Sequence, residues 1–468
     1  MPQHSRDRNS RQVDSVVRQM VQAPGLPFAT LLPQEQVEQV LREENISWSE
    51  RLYTPLVTLW VFLSQVLDAD HSMRQAVARL IAQRVHSGQQ PCSADTGAYT
   101  KARQRLPENV LARLTRQTGQ LSTDAPAEWT WHGRHVKVVD GSTASMPDTP
   151  ANQQAYPQSK TQKAGAGFPI LRFVVLFSLA IGTVLEAAIG PYKGKQTGET
   201  ALFRSLHPHL HDGDILLADR YYCSYFEIAL LREQRVDIVM RLHQQRRVDF
   251  RRGRRLGRWD HIVTWSKPKN RPAWLDQEAY DRLPATLMLR ELKMTVASKL
   301  SRSRSIVVVT SLLDAELFPK ADVADLYWAR WNAELNLRSL KATLQMDVLR
   351  GKTPATVRKE LWMHLLVYNL IRQTMAQAAK EHKREPGTIS FKGTLQTLNA
   401  FALPLQTSSP EDLPEVCHAL WKAIITHRVG NRPDRAEPRA RKRRPKPYPL
   451  LQGPRKKALR KERKTLRS

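Results

Sequence analysis

Between residues 134 and 241 the sequence alternates short β-forming runs with short helical stretches, and this order restricts the folds open to the chain. His135–Val139 alternates in polarity up to Asp140, which predicts a strand that ends in a turn. The apolar run after Asp214 predicts a short buried strand that delivers Asp219 at its carboxyl end. Two aspartates are therefore expected at strand ends.

A hairpin and two helices are predicted between and after these strands. Ile170–Ile181 and Val184–Ile189 flank Gly182-Thr183, a glycine-first two-residue connection that suits a β-hairpin. Strand, hairpin, helix, strand, helix and strand is the order of an RNase H-like core, so we expect an α/β fold built on that core. Its further elements are predicted at Thr197–Leu206 (helix), Ser224–Glu233 (helix) and Val236–Arg241 (strand).

Residues 243–315 interrupt this pattern with a basic, β-prone segment. The runs Thr286–Val296 and Ser305–Thr310 predict strands. We therefore expect a mostly β insertion within the core. Its arginines are concentrated at Arg246-Arg247, Arg251-Arg252, Arg254-Arg255 and Arg258.

The charge balance indicates a polyanionic partner. Lys and Arg number 73 against 44 Asp and Glu, which gives a formal net charge of +29 and a pI near 10.3. Nucleic acid is the best match for such a charge, and an anionic membrane surface fits less well. The segment Arg428–Ser468 alone holds 17 Lys or Arg against three acids, and we expect it to stay extended until it meets phosphate.

Cysteine spacing and hydropathy indicate the compartment. Cys92, Cys223 and Cys417 are far apart and form no CxxC pair, which favours a reducing compartment and argues against a thiolate zinc site. Met1–Gln22 is too polar for a secretory signal, and the apolar stretch Phe173–Ile181 is too short to span a bilayer. We expect a soluble, cytoplasmic protein without membrane contact.

Helices are predicted on both sides of the core. Apolar residues three and four apart from Leu52 to Val85 indicate packed helices, and Tyr99–Leu106 indicates a helix whose cationic face is either solvated or in contact with DNA. Thr353-Pro354 supplies an N-cap and a first-turn proline for a later helix. The expected organisation is a helical, DNA-binding N-terminal region (1–125), the first part of the core (126–242), the β-rich basic insertion (243–315), the second part of the core (316–380), a helical C-terminal region (381–427) and a basic tail (428–468).

Three acidic residues form a candidate metal site. Metal-assisted phosphoryl transfer requires hard oxygen ligands around one or two Mg²⁺ ions about 4 Å apart. Asp140 and Asp219 at strand ends and Glu334 on a later helix can supply them. Taken singly, each aspartate also has a structural explanation. Asp140 precedes Gly141 as in a common turn, and Asp219 could pair with Arg220.

The helix predicted from about Ala321 to Gln345 carries the most specific pattern. At about 100° per residue, the side chains of Arg330, Glu334 and Lys341 lie at roughly −60°, −20° and −40° from Tyr327, so all four share one stripe. Apolar residues on both sides of the stripe are typical of a helix that lines a cleft. The alternative is an i,i+4 Arg-Glu pair with a lysine on a solvated face. The flanking apolar residues are Ala324, Trp328, Trp331, Leu335 and Ala342 on one side and Leu326, Leu337 and Leu340 on the other.

The spacing Tyr-x2-Arg-x3-Glu-x6-Lys at Tyr327–Lys341 resembles the YREK signature of DDE transposases from bacterial insertion sequences, in the insertion-sequence-four family that also contains the Tn-five transposase. The resemblance extends over most of the chain. It includes the DGS beginning at Asp140, the ADR around Asp219, a β insertion before the glutamate and the PRxRKRRPKPYPLL tail at Pro438–Leu451. The YREK spacing is its specific part, and both aspartate assignments depend on it.

This resemblance implies a catalytic site and a reaction. Asp140, Asp219 and Glu334 would be the catalytic residues and would hold two Mg²⁺ or Mn²⁺ ions. The enzyme would bind the terminal inverted repeats of an insertion sequence, cleave the element ends and join them to target DNA. It would work as a homodimer in the synaptic complex, in the bacterial cytoplasm at the nucleoid.

The resemblance also implies DNA contacts near that site. Tyr327 and Arg330 would grip phosphates at the element end, and Lys341 would hold the terminal strand. Arg220 would assist beside Asp219. Arginine suits bidentate phosphate recognition, and lysine supplies a point charge.

Two other functions stay open at this point, an inactive transposase-derived DNA-binding protein and a structure-selective nuclease. The route of end release is also open. Some relatives pass through a DNA hairpin and flip a base onto a tryptophan of the insertion shortly before the tyrosine, but Ile306–Leu313 contains no tryptophan. The tryptophans of this insertion are Trp259, Trp265 and Trp274.

Overall fold

The computed structural model describes residues 28, 31–48, 51–120, 126–163, 165–296, 304–409, 411–429, 451 and 453–465. Helices precede, flank and follow a single large sheet. The helices are α1 (Gln34–Glu43), α2 (Pro55–Leu67), α3 (Met73–His86), α4 (Gly97–Arg105), α5 (Glu108–Gln120), α6 (Pro150–Ala155), α7 (Glu199–Arg204), α8 (Tyr225–Glu233), α9 (Gln277–Arg282), α10 (Lys320–Ala329), α11 (Trp331–Arg338), α12 (Pro354–Glu381), α13 (Phe391–Thr407), α14 (Leu413–Thr426) and α15 (Arg455–Thr465). The strands are β1 (Val136–Ser145), β2 (Ile170–Ser178), β3 (Val184–Pro191), β4 (Ile215–Ala218), β5 (Asp237–Arg241), β6 (Arg254–Gly257), β7 (Asp260–Ser266), β8 (Thr286–Val296) and β9 (Arg304–Thr310).

The sheet confirms the predicted α/β class with an RNase H-like core. Its strand order is β3-β2-β1-β4-β5-β9-β8-β7-β6. The first three strands are antiparallel neighbours, whereas β4 runs parallel to both β1 and β5. A hairpin followed by two parallel crossovers produces this mixed order.

The strands predicted at Thr286–Val296 and Ser305–Thr310 are confirmed, but they do not form a separate sheet. Strand β9 pairs antiparallel with β5 through Val239↔Thr310, and β8 then pairs with both β9 and β7. The inserted strands therefore extend the core sheet at its β5 edge. This continuity ties the insertion to the core through backbone hydrogen bonds.

Helix α12 joins the N-terminal helices to the core. It begins as predicted, because the Thr353 hydroxyl accepts from Thr356 N and Pro354 occupies the first turn. Asn369 Oδ1 accepts from Val184 N at 2.7 Å, and Asn369 Nδ2 donates to Thr115 O at 2.9 Å. One buried amide thus links α12 to β3 and to α5. No helix among the described residues is long and apolar enough to cross a membrane.

Two segments differ from the sequence predictions. The connection between β2 and β3 spans 179–183 instead of Gly182-Thr183 alone, because β2 ends at Ser178, whose N–H donates to Thr183 O at 2.9 Å. Within the C-terminal segment expected to be extended, Arg455–Thr465 is a helix, consistent with its content of strong helix formers. The Pro438–Leu451 motif lies outside the described residues except for its last residue.

A buried histidine pair should make the fold sensitive to acid. The rings of His71 and His364 lie 5.3 Å apart and are nearly inaccessible. The pKa of each ring is lowered to about 4, mainly by burial, and for His71 the charges of His364 and Arg350 contribute to that fall. Both histidines are therefore neutral in the folded protein, whereas in the unfolded chain they take up protons below pH about 6.5.

The direction of the pH dependence of stability follows from that difference in protonation. As pH falls from 6.5 towards 4, each histidine should lower the free energy of unfolding by up to about 1.4 kcal/mol per pH unit. Urea unfolding at several pH values measures this slope, and His71→Asn should reduce it, since Asn tolerates the positive φ of 52° at that position. His86→Asn, at an exposed histidine, is the control and should leave the slope unchanged. An equal slope in all three proteins would contradict the prediction.

Candidate active site

Asp140 lies inside β1, not at the end of a strand. The predicted turn at Gly141 is wrong, because β1 continues to Ser145 and Asp140 pairs with Val175 of β2. The other neighbour of β1 ends earlier, since the pairing with β4 stops at Val138. At Asp140, β1 is therefore paired with β2 on one side, whereas β4 no longer pairs with it on the other side.

Asp219 follows β4 directly, as predicted. Val138 is the register partner of Leu217, so Asp140 and Asp219 are each two residues beyond a paired position. Side chains two residues apart on a strand point to the same face, which brings both carboxylates to one level of the sheet. Asp219 Oδ1 accepts from Tyr221 N at 2.7 Å, and among the described contacts no ion pair joins Asp219 to the exposed Arg220.

The helix expected from about Ala321 to Gln345 is interrupted. Helix α10 ends before Arg330, whose N–H donates to Tyr327 O, and Ala333 N donates to Arg330 O, so the hydrogen bonds tighten to the i→i+3 type there. After α11 the chain forms a wide π-helical turn at Ser339–Thr343. These changes alter the angles calculated for an ideal helix.

The four residues of the predicted stripe are nevertheless all buried or half-buried, and one of them contacts the sheet. Tyr327 is only 5% exposed, and Arg330 donates to Glu334 Oε1 at 3.2 Å. Lys341 Nζ donates to Ser142 Oγ at 3.0 Å, two residues beyond Asp140 on β1. The alternative of a wholly solvated face is therefore wrong, although the Arg-Glu pair that it named does form.

The apolar flanks of the stripe differ from each other. Leu326, Leu337 and Leu340 are buried, as a helix lining a cleft requires. Trp328, Trp331 and Leu335 are instead 39%, 57% and 37% exposed. One predicted flank therefore packs into the protein, whereas on the other the large side chains face solvent and, of the residues described there, Ala324 alone packs against the core.

The electrostatics of Asp140 link the three predicted carboxylates. Burial raises the pKa of Asp140 to about 6, and the negative charges of Asp219 and Glu334 act in the same direction. The N–H of Gly141 and the charge of Arg330 oppose that rise. Asp140 thus has two acids and one arginine in its electrostatic neighbourhood.

The donor chemistry of this site fits a hard divalent cation. Asp140, Asp219 and Glu334 offer only carboxylate oxygens, the ligands that Mg²⁺ and Mn²⁺ prefer. Within the described part of the chain, no three His, Cys, Asp or Glu side chains are already arranged around a metal position. Glu334 is paired with Arg330, and the acids repel one another. Both interactions keep the three carboxylates from gathering around one point.

Sequence analysis did not select Glu199, the first residue of α7. A Cβ built on Gly141 would lie 2.9 Å from Glu199 Cδ, so this carboxylate lies directly over the strand beside Asp140. Burial raises the pKa of Glu199, and the charge of Asp219 adds to the rise. The sequence offered one signal for this residue, a glutamate at the start of the first helix after the hairpin.

The tryptophans of the insertion are not equivalent. Trp265 is buried and donates to Glu291 Oε1 at 2.9 Å, and Trp274 packs under the guanidinium of Arg204 at 3.8 Å. Trp259 is 46% exposed, and Lys293 Nζ lies 4.8 Å from its ring centroid. Of the three, Trp259 is therefore the most exposed.

Comparison with known proteins identifies the family. The family model described as "Transposase DDE domain" matches residues 131–370, a range that includes all seven predicted site residues. The transposase InsG for insertion sequence element IS4 of Escherichia coli (strain K12) is 30% identical over 431 residues, which cover 89% of this chain and 92% of that protein. The chain belongs to the DDE transposase family. Within that family it is of the IS4 type, and it is a DDE-type DNA transposase.

More distant likenesses accompany these two. The putative transposase InsZ of Escherichia coli (strain K12) is 33% identical to this transposase over 129 residues, or 27% of this chain and 42% of that one. The piggyBac transposase in its synaptic complex with hairpin DNA aligns over 85% of both chains at 10% identity and a TM-score of 0.42. A score that low supports no argument about the site.

Proposed function

We propose that this transposase binds the terminal inverted repeats of its insertion sequence, cleaves the element ends and joins them to target DNA by metal-dependent phosphoryl transfer. The observation that carries the proposal is the register of β1 and β4, which brings half-buried Asp140 to the level of Asp219, together with the charges of Asp219 and Glu334 that act on Asp140. Acids from β1, from the end of β4 and from α11 thus act electrostatically on one another. Such an arrangement of carboxylates is costly for the fold alone, because like charges repel.

In this proposal Asp140, Asp219 and Glu334 hold two divalent cations, Mg²⁺ or Mn²⁺. Bound there, divalent cations would supply activation of water and stabilisation of the leaving oxygen. The three carboxylates fix the position of that chemistry on the rigid sheet and on α11. Arg330 leaves Glu334 for a phosphate oxygen when DNA arrives, which frees the carboxylate.

The remaining predicted contacts act on DNA. Lys341 reaches over Ser142 and is close enough to β1 to hold a strand beside Asp140. Tyr327 packs against Arg330, with the guanidinium 5.9 Å from the ring centroid, so its ring helps to orient that group. Exposed Arg220 is free to reach a phosphate next to Asp219.

The charge of the surface supports binding of double-stranded DNA. The arginines of the insertion, from Arg246 to Arg258, are all exposed. With a net charge of +29, affinity should fall steeply as salt rises, because bound counterions are released from the duplex. A homodimer would hold two element ends in one synaptic complex, at the bacterial nucleoid.

The test uses the inverted repeats that flank the gene. Labelled duplexes of these ends are incubated with the full chain, a supercoiled plasmid and Mg²⁺, Mn²⁺ or EDTA. We expect cleavage at the element ends and insertion into the plasmid with either metal and none in EDTA. Binding without chemistry under both metals would indicate an inactive DNA-binding protein, and cleavage without joining would indicate a nuclease.

A further inference from the structure

Glu199 occupies the space over the backbone of β1 beside Asp140. A Cβ at Gly141 would lie 2.9 Å from both Cγ and Cδ of Glu199 and 3.2 Å from its Oε2. Any side chain at position 141 would therefore push this carboxylate away. The absence of a side chain at Gly141 lets Glu199 lie within the neighbourhood of Asp140 and Asp219.

Arg172 of β2 restrains the segment that carries Glu199. Its guanidinium donates to Thr197 O at 2.8 Å, and its Nε lies 3.9 Å from Glu199 Oε1. That second distance is too long for a hydrogen bond, and Arg172 Nε is buried without a hydrogen-bond partner. The arginine thus fixes the loop before α7 and leaves the carboxylate of Glu199 able to bind something else.

A second, independent feature points to the same place. Tyr222 is 1% exposed, and its buried hydroxyl has no hydrogen-bond partner. Its ring packs edge-on against Phe203 of α7, with centroids 5.1 Å apart. The charged groups that act on the hydroxyl most strongly are Glu199, Asp140 and Asp219, in that order. A buried hydroxyl without a partner requires one, and a carboxylate among these can accept its hydrogen bond.

We propose that Glu199 is a fourth carboxylate of the cation site, contacting the divalent cation held by Asp140 and Asp219 or a water bound to it, with Tyr222 and Arg172 as positioning residues. The inference rests on the proposed function, because it requires a cation at Asp140. Tyr222 donates to the Glu199 carboxylate when the site fills, which leaves the other oxygen of Glu199 for the cation shell. Partners of this kind orient ligands around protein-bound metals.

The experiment measures binding of Mn²⁺ alone to the full chain, without DNA, from the electron paramagnetic resonance signal of free Mn²⁺. Glu199→Gln should raise the dissociation constant about tenfold or more, as loss of an oriented carboxylate near a metal does. Tyr222→Phe should weaken binding in the same direction by a smaller factor. Glu278→Gln is the matched control, an exposed glutamate in the first turn of another six-residue helix, and should bind as the unaltered protein does.

Two further readings separate a role at the cation from a role in folding. The melting temperature of Tyr222→Phe in EDTA should be no lower than that of the unaltered protein, since the hydroxyl removed has no hydrogen-bond partner there. In end cleavage, the Mg²⁺ concentration for half-maximal rate should rise in Glu199→Gln, and the rate should largely recover at saturating Mg²⁺. If Glu199→Gln does not fold, Tyr222→Phe provides the test by itself.

The outcomes distinguish this inference from the proposed function. Loss of Mn²⁺ binding in Asp140→Asn with unchanged affinity in Glu199→Gln and Tyr222→Phe would overturn the role of Glu199 and leave the proposed function standing. Unchanged binding in Asp140→Asn, or no binding by the unaltered protein, would contradict the cation site and the fourth carboxylate together.

Discussion

Glu334→Gln should abolish end cleavage while leaving DNA binding within a few-fold of the unaltered transposase. The change keeps the shape of the side chain and removes its charge, so a cation ligand on α11 is lost without disturbing the packing. Loss of several kcal/mol of stabilisation by metal corresponds to a fall in rate of at least about a thousandfold. Gel-shift titration of element ends and a cleavage time course with Mg²⁺ measure the two effects separately.

Glu316→Gln provides the matched control for that variant. Glu316 is exposed and precedes α10, so the same chemical change there should alter neither quantity. Because Arg330 donates to Glu334, the variant also weakens that ion pair, and a modest gain in DNA affinity would agree with a phosphate-binding role for Arg330. Equal loss of binding and cleavage in Glu334→Gln would count against its place in the metal site.

Asp260→Ala should destabilise the fold by about 3–5 kcal/mol, because it leaves a buried arginine charge without its partner. Arg290 is fully buried, and its Nε and Nη2 donate to the two carboxylate oxygens of Asp260 at 2.8 and 2.6 Å. Its Nη1 donates to Phe318 O at 2.7 Å, just before α10. This arginine therefore connects β7 and β8 of the insertion to the segment that leads into α10, which carries Tyr327.

Urea unfolding followed by tryptophan fluorescence measures the loss. Asp249→Ala removes the partner of Arg251 in an exposed ion pair and should leave stability unchanged. The double replacement Asp260→Leu with Arg290→Met should recover much of the stability lost in Asp260→Ala, since apolar side chains remove the unpaired charge. A small effect of Asp260→Ala, similar to that of Asp249→Ala, would show that solvent reaches the pair.

Local sequence patterns were sufficient to predict most of the helices and strands of the core. The start of α12 at Pro354, after the Thr353 cap, depends on backbone preferences within a few residues, so the sequence alone located it. Four apolar residues before Asp219 similarly predicted β4 and its end. The stripe from Tyr327 to Lys341 was also readable, because helical periodicity places such side chains together over a few turns.

The same local reasoning failed where a neighbouring strand decides the outcome. Asp140-Gly141 has the composition of a turn, but pairing with Val175 and Val174 of β2 continues β1 through both residues. The interruption at Arg330 was also missed, since no proline or glycine marks it in the sequence. Both errors leave the candidate carboxylates on the elements expected for them.

Local sequence patterns therefore predicted most of the core elements, the basic surface and the acids that these elements carry. The pairing of β9 with β5, which makes the insertion part of the core sheet, followed only from the folded chain. The same holds for the position of Glu199 over Gly141 and for the burial of the Tyr222 hydroxyl. Those contacts join segments far apart in the chain, and their geometry depends on strand register and packing, which no local periodicity encodes.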